Sequence, residues 1–459
     1  MTSRRWARHG GVLLGLFLLL AALVMGNAPA AVASDSTPYR ATVFTHGYDT
    51  SKVVTLSFDS DWPTADNAQS RANLTRVLQV LASNKITAAF GLTGRFVENN
   101  PVDARAIVDA GHKVINHSYD HPDFMTLTQA QRWAQLDRAE AAYRTAGISS
   151  AGWFRAPYGS GKFDPGLNRD LALHGYYISF DWTYDTTGFE GAPWSEVSRR
   201  IRDYTVPGAI LVMHLSAPST DPQNLPAIIS QLRSMGYGFA SPYQATTKGA
   251  IRGEYLRLGG SAAFGAATTA EQVATTTGTA VQWFQRGRIY WSSASGAHEV
   301  HGAILGEYRK LGTVNSFLRF PLTDEQAAAG GRRNQFQGGW IYWSSSSGAH
   351  EVHGAIGTKW RSLGSESGFL GYPVSDEVGV TGGRASQFQG GNIYWSSSTS
   401  AHEVHGAILG RYLSLGGSAS RLGLPVSDEF TVSGGRRSNF QHGAIIYTYS
   451  THTTTVIYS

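Results

Sequence analysis

The sequence predicts an α/β domain built on a parallel sheet, followed by a repeat domain of short helices and β-hairpins. From about residue 50 to 245, short apolar runs alternate with amphipathic stretches, the pattern of strand–helix–strand units. From Lys248 onward the texture changes to Gly, Ser and Tyr-Trp clusters, and the chain repeats itself. KGAIRGEYLRLG at 248 returns as HGAILGEYRKLG at 301, HGAIGTKWRSLG at 353 and HGAILGRYLSLG at 405, at spacings of 53, 52 and 52 residues. A chain of 459 residues also exceeds one ordinary domain.

In the first domain, Val53–Phe58 reads as a strand, and Leu74, Val77, Leu78 and Leu81 then recur at i, i+3, i+4 and i+7, one face of a helix. Ile86–Leu92 is the next apolar run. A short helix over Pro101–Ala110 has proline at its start and Gly111 past its end. Val114–Asn116 continues the sheet, and a longer helix covers Thr128–Thr145. Further strands are expected at Gly152–Phe154, Tyr176–Asp181, Ala209–Met213 and Tyr237–Ala240, with helices at Leu167–His174, Ser195–Tyr204 and Leu225–Met235. Both a barrel and an open doubly wound sheet fit this alternation, and in both the sites gather at the C-terminal strand ends.

In the second domain, Phe284, Phe336, Phe388 and Phe440 recur every 52 residues, and IYWSS occurs at Ile289, Ile341 and Ile393. Such a period marks about four units that bury a shared core against one another. GAI…YxxLG reads as a short helix and FQxGxIYWS…AHEVHGAI as a hairpin. The last unit lacks the Trp and the AHEVH tail, as a terminal repeat should. The expected organisation is therefore a leader over 1–33, a linker over 34–49, an α/β domain over 50–245 and four repeats over 248–459.

The leader reading rests on Arg4, Arg5 and Arg8 before an apolar run from Val12 to Val24, then Ala31-Val32-Ala33. That is the order of a secretory signal, and the run is short for a full span. The expected protein is therefore secreted, with no stable membrane span after cleavage. Removing three arginines leaves 35 basic and 33 acidic side chains (38 − 3 against 33), so nucleic acid is not an expected partner. There are no cysteines. Any metal must be held by His, Asp or Glu.

The residues that carry chemistry fall at strand ends. Asp59 and Asp61 close the first strand in SFDSDWP; His117 and His121, four apart in NHSYDHP, follow another, and a helical turn there would put both rings on one face. Arg155 heads the sharp turn RAPYG, and His214 ends AILVMH. A lone strand-end Asp is often a cap and a lone His an ordinary polar residue; it is the joint occurrence that points to a cation held by two imidazoles and a carboxylate. A second carboxylate is then free to act as base.

These segments resemble the NodB-homology domain of polysaccharide deacetylases, carbohydrate esterase family 4, over roughly residues 50–240. The family's motifs appear as SFDSDWP, HSYDHP, RAPYG, FDWTYD and LVMH. The resemblance implies a distorted (β/α) barrel. It implies that Asp61, His117 and His121 hold a divalent ion, Zn²⁺ or, in its place, Co²⁺, Ni²⁺ or Mn²⁺. It implies Asp59 as general base, Arg155 as its partner, the Tyr158 N–H as oxyanion donor and His214 as general acid. Leu211 and Met213 would help line an acetyl-methyl pocket, although periodicity alone places them in the core; Ser118, which could also brace the turn between the histidines, and Pro157 and Trp182 would be further substrate-binding residues. Three departures stand out. One residue separates the first two acids, so base and ligand roles could be exchanged. Trp62 replaces the family's glycine and could stack on a sugar. In the fourth motif Trp182 stands where the first acid belongs, leaving Asp181 or Asp185 to reach Arg155 or His214.

The second domain resembles the LGFP repeat of exported cell-envelope proteins, on FLRFPLTDE at 317, FLGYPVSDE at 369 and RLGLPVSDE at 421. That resemblance implies wall attachment. Tyr290-Trp291, Tyr342-Trp343 and Tyr394-Trp395 invite a sugar-platform reading but suit hairpin cores better. The pairs His298/His301, His350/His353 and His402/His405 lie beside Glu at a spacing poor for metal. Together these readings predict a secreted, wall-associated, metal-dependent deacetylase of an N-acetylated glycan, with peptidoglycan favoured and chitin oligomers or acetyl-xylan open. The alternatives are a sugar-binding protein on a weakly active scaffold and an amidohydrolase acting on a small exported molecule.

Overall fold

The computed structural model describes residues 38–49, 51–60 and 68–459. The expected leader lies outside the described residues, as do Asp61 and Trp62. Among the described residues no helix is long and apolar enough to cross a membrane.

The strands of the first domain are β1 (Thr42–Phe44), β2 (Val53–Ser60), β3 (Ala89–Leu92), β4 (Lys113–Asn116), β5 (Trp153–Phe154), β6 (Ile178–Phe180), β7 (Tyr184–Asp185), β8 (Ile210–His214) and β9 (Gly238–Phe239). They form one sheet in the order β1-β6-β5-β4-β3-β2-β8-β7, with β9 beside the start of β2. Every pairing is parallel. The edges β1 and β7 do not pair. Instead the chain leaving β1 crosses to the start of β8 through a bridge between His46 and Ala209 and a hydrogen bond from the Gly47 N–H to the Gly208 carbonyl (2.8 Å). This is the distorted (β/α) barrel. Strand β1 falls in the stretch read as linker; three residues are too few to show an alternation, and only pairing with β6 makes them a strand.

Helices α1 (Ala68–Asn84), α2 (Gly94–Asn99), α3 (Pro101–Asp109), α4 (Gln129–Thr145), α5 (Pro165–Leu173), α6 (Trp194–Tyr204) and α7 (Asp221–Ser234) surround the sheet. Leu74, Val77 and Leu81 of α1 are fully buried, as their spacing predicts. Helix α4 starts on a reciprocal cap between Thr128 and Gln131. Strand β2 is buried along almost its whole length, as a central parallel strand must be. Its two faces nevertheless differ. Val54, Leu56 and Phe58 join the core that includes α1 and α7, while Ser57 and Asp59 alternate with them on the opposite, concave face.

The lower part of the concave face is apolar, and the repeat domain covers it. Helices α8 (Pro242–Ala245), α9 (Gly249–Arg257) and α10 (Gly260–Phe264) lead into the first repeat. Ala89, Ile115, Trp153, Ile178 and Ile210 share one core with Ile251, Tyr255, Phe264, Ala267 and Phe284. The Trp153 indole N–H donates to the Ala267 carbonyl (2.6 Å), Gln282 to the Thr246 carbonyl (2.8 Å), and Arg252 pairs with Asp49 (2.8 Å). The change near residue 248 is thus one of sequence texture, with no break in packing.

The repeats are four four-stranded antiparallel sheets: β10 (Gln272–Val273) to β13 (Gly296–His301), β14 (Gln326–Ala328) to β17 (Gly348–His353), β18 (Val378–Val380) to β21 (Ser400–His405), and β22 (Phe430–Val432) to β25 (Thr453–Tyr458). Helices α11 (Gly302–Leu311), α12 (Gly354–Ser362) and α13 (Gly406–Ser414) follow the first three. Each core spans two units; Ile304 and Tyr308 pack with Phe336 and Ile341 of the next. Tyr290, Tyr342 and Tyr394 are buried core residues. The AHEVH tail is a joint: Glu299, Glu351 and Glu403 each accept the backbone N–H of Glu325, Glu377 and Glu429 of the following unit (2.8, 2.8 and 2.9 Å). His301, His353 and His405 hydrogen-bond to the same glutamates (2.7, 2.6 and 2.7 Å).

Candidate active site

The centre of the site is a buried ion pair. Asp59, at the C-terminal end of β2, is 4% exposed and Arg155, just after β5, is fully buried. Arg155 Nη1 donates to Asp59 Oδ1 (2.6 Å), Nη2 to Ser57 Oγ (3.0 Å) and Nε to the Phe180 carbonyl (2.8 Å). Three acceptors fix the guanidinium, and the guanidinium fixes the carboxylate. Burial pushes the Asp59 carboxyl up, but Arg155, with His117 and His214, outweighs it and holds Asp59 below the usual carboxylate range. Gly91 faces Asp59 in the neighbouring strand. A Cβ there would lie 3.2 Å from Asp59 Cγ and well inside contact distance of Oδ1, so the carboxylate needs a residue without a side chain beside it.

His117 and His121 follow β4. The segment between them is not helical, so a helical turn is not what brings the rings together. Ser118 and His121 instead adopt left-handed backbone (φ 69° and 65°), and Ser118 Oγ accepts the His121 backbone N–H (3.0 Å). Two reversals in five residues bring the rings together, with Nε2 atoms 3.1 Å apart. His117 Nδ1 donates to the Arg155 carbonyl (3.0 Å), because a carbonyl can only accept, and this turns the Nε2 lone pair toward His121. That lone pair takes either the Nε2–H of one His121 tautomer or a cation, and a backbone carbonyl fixing the ring is the usual arrangement of a metal-ligating imidazole. Asp59 Oδ2 is 3.7 Å from His117 Nε2. Among the described residues no set of three or more ligating side chains is complete; the expected third ligand, Asp61, lies outside them. The donors present fit a divalent ion that accepts nitrogen and oxygen.

His214 lies directly opposite Asp59 in the register of β2 and β8. Its ring packs on Phe189 (4.7 Å), and its Nδ1 is buried with no hydrogen-bond partner among the described residues. Behind it sits Asp221, which the sequence did not single out. Asp221 accepts the His214 backbone N–H (2.9 Å) and the Thr186 hydroxyl (2.6 Å), and burial pushes its carboxyl up to about 6. It ties the end of β8 to the loop after β7. Its only sequence signal is a position seven residues beyond His214, at the start of a helix.

Asp59, His117, His121, Tyr158, Trp182, Asp185, Phe189, His214 and Ser216 line a cavity of about 340 Å³. Phe189 and Ser216 were not foreseen; Phe189 is in a single 3₁₀ turn (Gly188–Glu190) and Ser216 in a loop, neither within a motif. Tyr158, left-handed at φ 61°, is 70% exposed and stacks edge-on against His121 (4.6 Å). Pro157 is buried under this turn. Asp181 is buried and accepts from Ser179 Oγ (2.7 Å), burial pushes its carboxyl up, and it is not in the cavity wall. Asp185 is in the wall, and its Oδ1 accepts the Thr187 backbone N–H (2.7 Å). Leu211 and Met213 do not line the cavity. They point to the helix side of β8 and belong to the core with Leu56 and Phe58, because alternation along the strand sends them opposite to His214.

Residues 46–178 match the family described as polysaccharide deacetylase, and residues 264–316, 318–368, 370–420 and 422–458 match the LGFP repeat. An uncharacterised protein of Bacillus subtilis, YlxY, is 32% identical over 37% of this chain and 51% of its own length. The B. subtilis peptidoglycan-N-acetylmuramic acid deacetylase PdaA is 28% identical over 39% of this chain and 68% of its own. A carbohydrate esterase family 4 pseudoenzyme from Bacillus anthracis, of known structure, is 27% identical, with 44% of this chain and 68% of that one covered and a TM-score of 0.40. The chain thus spans between about half and two thirds of the length of these relatives.

Proposed function

We propose that this chain, a polysaccharide deacetylase domain at residues 46–178 joined to LGFP repeats at 264–458, hydrolyses N-acetyl groups of a glycan outside the cell. Peptidoglycan is the first candidate, with chitin oligomers and acetyl-xylan as related substrates. The leader would export the chain and the repeats would hold it at the wall. One observation carries the reading: a carboxylate kept ionised by a buried arginine lies between two converging imidazoles and a third histidine across an open cavity.

His117, His121 and Asp61 would hold the divalent ion, Zn²⁺ or Co²⁺, Ni²⁺ or Mn²⁺, which supplies Lewis acidity to the acetamide carbonyl. Asp59 accepts the proton of the attacking water. Arg155 keeps Asp59 charged and aimed, which also favours Asp59 over Asp61 as base. The Tyr158 N–H, presented by its left-handed turn, donates to the developing oxyanion. His214 delivers a proton to the departing amine. Tyr158, Trp182 and Phe189 give the cavity aromatic walls on which a sugar ring can lie.

The Nδ1 of His214, without a hydrogen-bond partner among the described residues, supports a second reading, a glycan-binding protein on a weakly active scaffold, since no acid among them hydrogen-bonds the ring to hold it in its donor form. Acetate release from N-acetylglucosamine oligomers and purified wall, with metal added back to the stripped protein, separates the two. Release that disappears in Asp59→Asn establishes the enzyme; wall affinity without release under any metal rejects it.

A further inference from the structure

Three of the four repeats meet a following unit through an apolar core, and one of these junctions also holds the ion pair Arg333–Glu366. At the first, Val281 and Val314 share one apolar core with Phe320 of the next unit. At the third, Ala385 and Leu424 occupy the first and last of these places, again in an apolar core. At the second, the positions 52 residues on from the first carry Arg333, Glu366 and Tyr372. Arg333 Nη1 lies 3.7 Å from Glu366 Oε1 and 3.5 Å from the Tyr342 hydroxyl. Arg333 Nε, Glu366 Oε2 and the Tyr372 hydroxyl are buried with no hydrogen-bond partner among the described residues. The Glu366 side chain is 9% exposed and Tyr372 is 5% exposed. Polar atoms left unmatched in an interior are costly, and the sister junctions carry apolar residues at the first and last of these places, with Ser418 at the middle place of the third.

The group adjoins a surface cavity of about 520 Å³ lined by Gln335, Gln337, Trp340, His353, Thr358 and Arg361, among others. Trp340 joins the two: it lines the cavity, and the Arg333 guanidinium lies 5.2 Å from its ring centre. Trp340 is also particular to this unit, since Arg288, Asn392 and Ala444 stand at the matching places. No Asp or Glu lines the cavity, and His353 is occupied by Glu351 and Glu377.

We infer that the mouth of the second-to-third repeat junction is a binding site for an oligosaccharide that carries a carboxylate. The indole offers a flat apolar face to a sugar ring, the glutamine amides and the Thr358 hydroxyl match sugar hydroxyls, and Arg361 meets the anion. The inference shares with the proposed function only the idea that the repeats contact glycan. Its test reads binding, so loss of deacetylase activity and loss of this site are separate results.

The full chain, labelled with 5-fluorotryptophan, is titrated with an oligogalacturonate and with a neutral cello-oligosaccharide, neither of which has an acetamide. The ¹⁹F resonance missing from Trp340→Phe identifies the reporter. The expected result is a saturable shift of that resonance with the anionic sugar. Arg361→Gln, an exposed substitution that leaves the fold intact, weakens it at least tenfold, and Leu413→Ala at the matching place of the next unit leaves it unchanged. A Trp340 resonance silent to both sugars, or responding equally to both with Arg361→Gln without effect, overturns the inference and leaves the buried group as a device that matches the second unit to the third.

Discussion

Gly91→Ala gives the sharpest test of the ion pair at the centre of the site. The added Cβ would stand 3.2 Å from Asp59 Cγ and closer still to Oδ1. Ordinary contacts between such atoms require the carboxylate to retreat by about 1 Å. It cannot retreat freely, because Oδ1 is held by Arg155 Nη1 at 2.6 Å and Arg155 is itself held by Ser57 and the Phe180 carbonyl. Either the charge-assisted hydrogen bond, worth about 1.5–3 kcal/mol, is stretched, or β3 moves away from β2. Overpacking of this kind costs about 1–3 kcal/mol, and a 1 Å misplacement of a reacting group costs on the order of 100-fold in rate. Acetate release should therefore fall about 100-fold while metal retention is unchanged, since the two imidazoles do not touch Gly91 at such close range. Thermal melting of a double-mutant cycle with Asp59→Ser isolates the contact: once the carboxylate is removed, alanine at 91 should cost almost nothing. Full activity in Gly91→Ala, or an equal stability loss in both backgrounds, would show that Asp59 is not held where the argument needs it.

Four further outcomes follow from the same geometry. His117→Ala or His121→Ala should lose the bound metal in elemental analysis of the purified chain, whereas Asp59→Asn should retain it and lose turnover; metal loss in Asp59→Asn would mean that Asp59 and Asp61 exchange roles. Arg155→Met should destabilise the fold by about 3–5 kcal/mol, because it strands a buried charge, and chemical denaturation measures this directly. Ending the chain after residue 245 should lower the melting temperature of the deacetylase domain, because Trp153, Ile178 and Ile210 lose the cover of the first repeat; a chain ending at 316 should not, and equal melting of the two would refute the shared core. The repeat joints should be firmer in acid. His301 is raised above its ordinary value first by the hydrogen bond to Glu299, and also by Glu325, against burial and Arg332; His353 and His405 are raised in the same way by Glu351 and Glu403. A raised histidine contributes stability in full below about pH 6.5 and loses it as pH rises through its folded value. Melting of the wild type should therefore weaken from pH 6 to 8 more than that of a His301→Gln, His353→Gln, His405→Gln variant.

Much of this protein was legible in the sequence because its signals are local. Apolar spacing placed α1, an apolar run placed β2, a proline and a glycine marked the ends of α3, and the 52-residue period announced units that share cores. The residue types at strand ends, Asp59, His117, His121, Arg155 and His214, were legible for the same reason: parallel strands deliver their C-terminal ends to one side. What sequence could not supply was set by distance through space. β1 is a strand only because β6 lies beside it. The histidine pair converges through two left-handed residues and not a helical turn. Leu211 and Met213 turn to the core by strand parity, while Asp221 and Gly91 matter only for what lies against them. The barrel's floor is likewise a tertiary fact, since nothing in the Trp153 or Phe284 segments names the other as its partner. Short-range chemistry determined which elements form and which side chains can react; long-range packing decided which of them meet, because contacts between residues far apart in the chain leave no periodic trace in it.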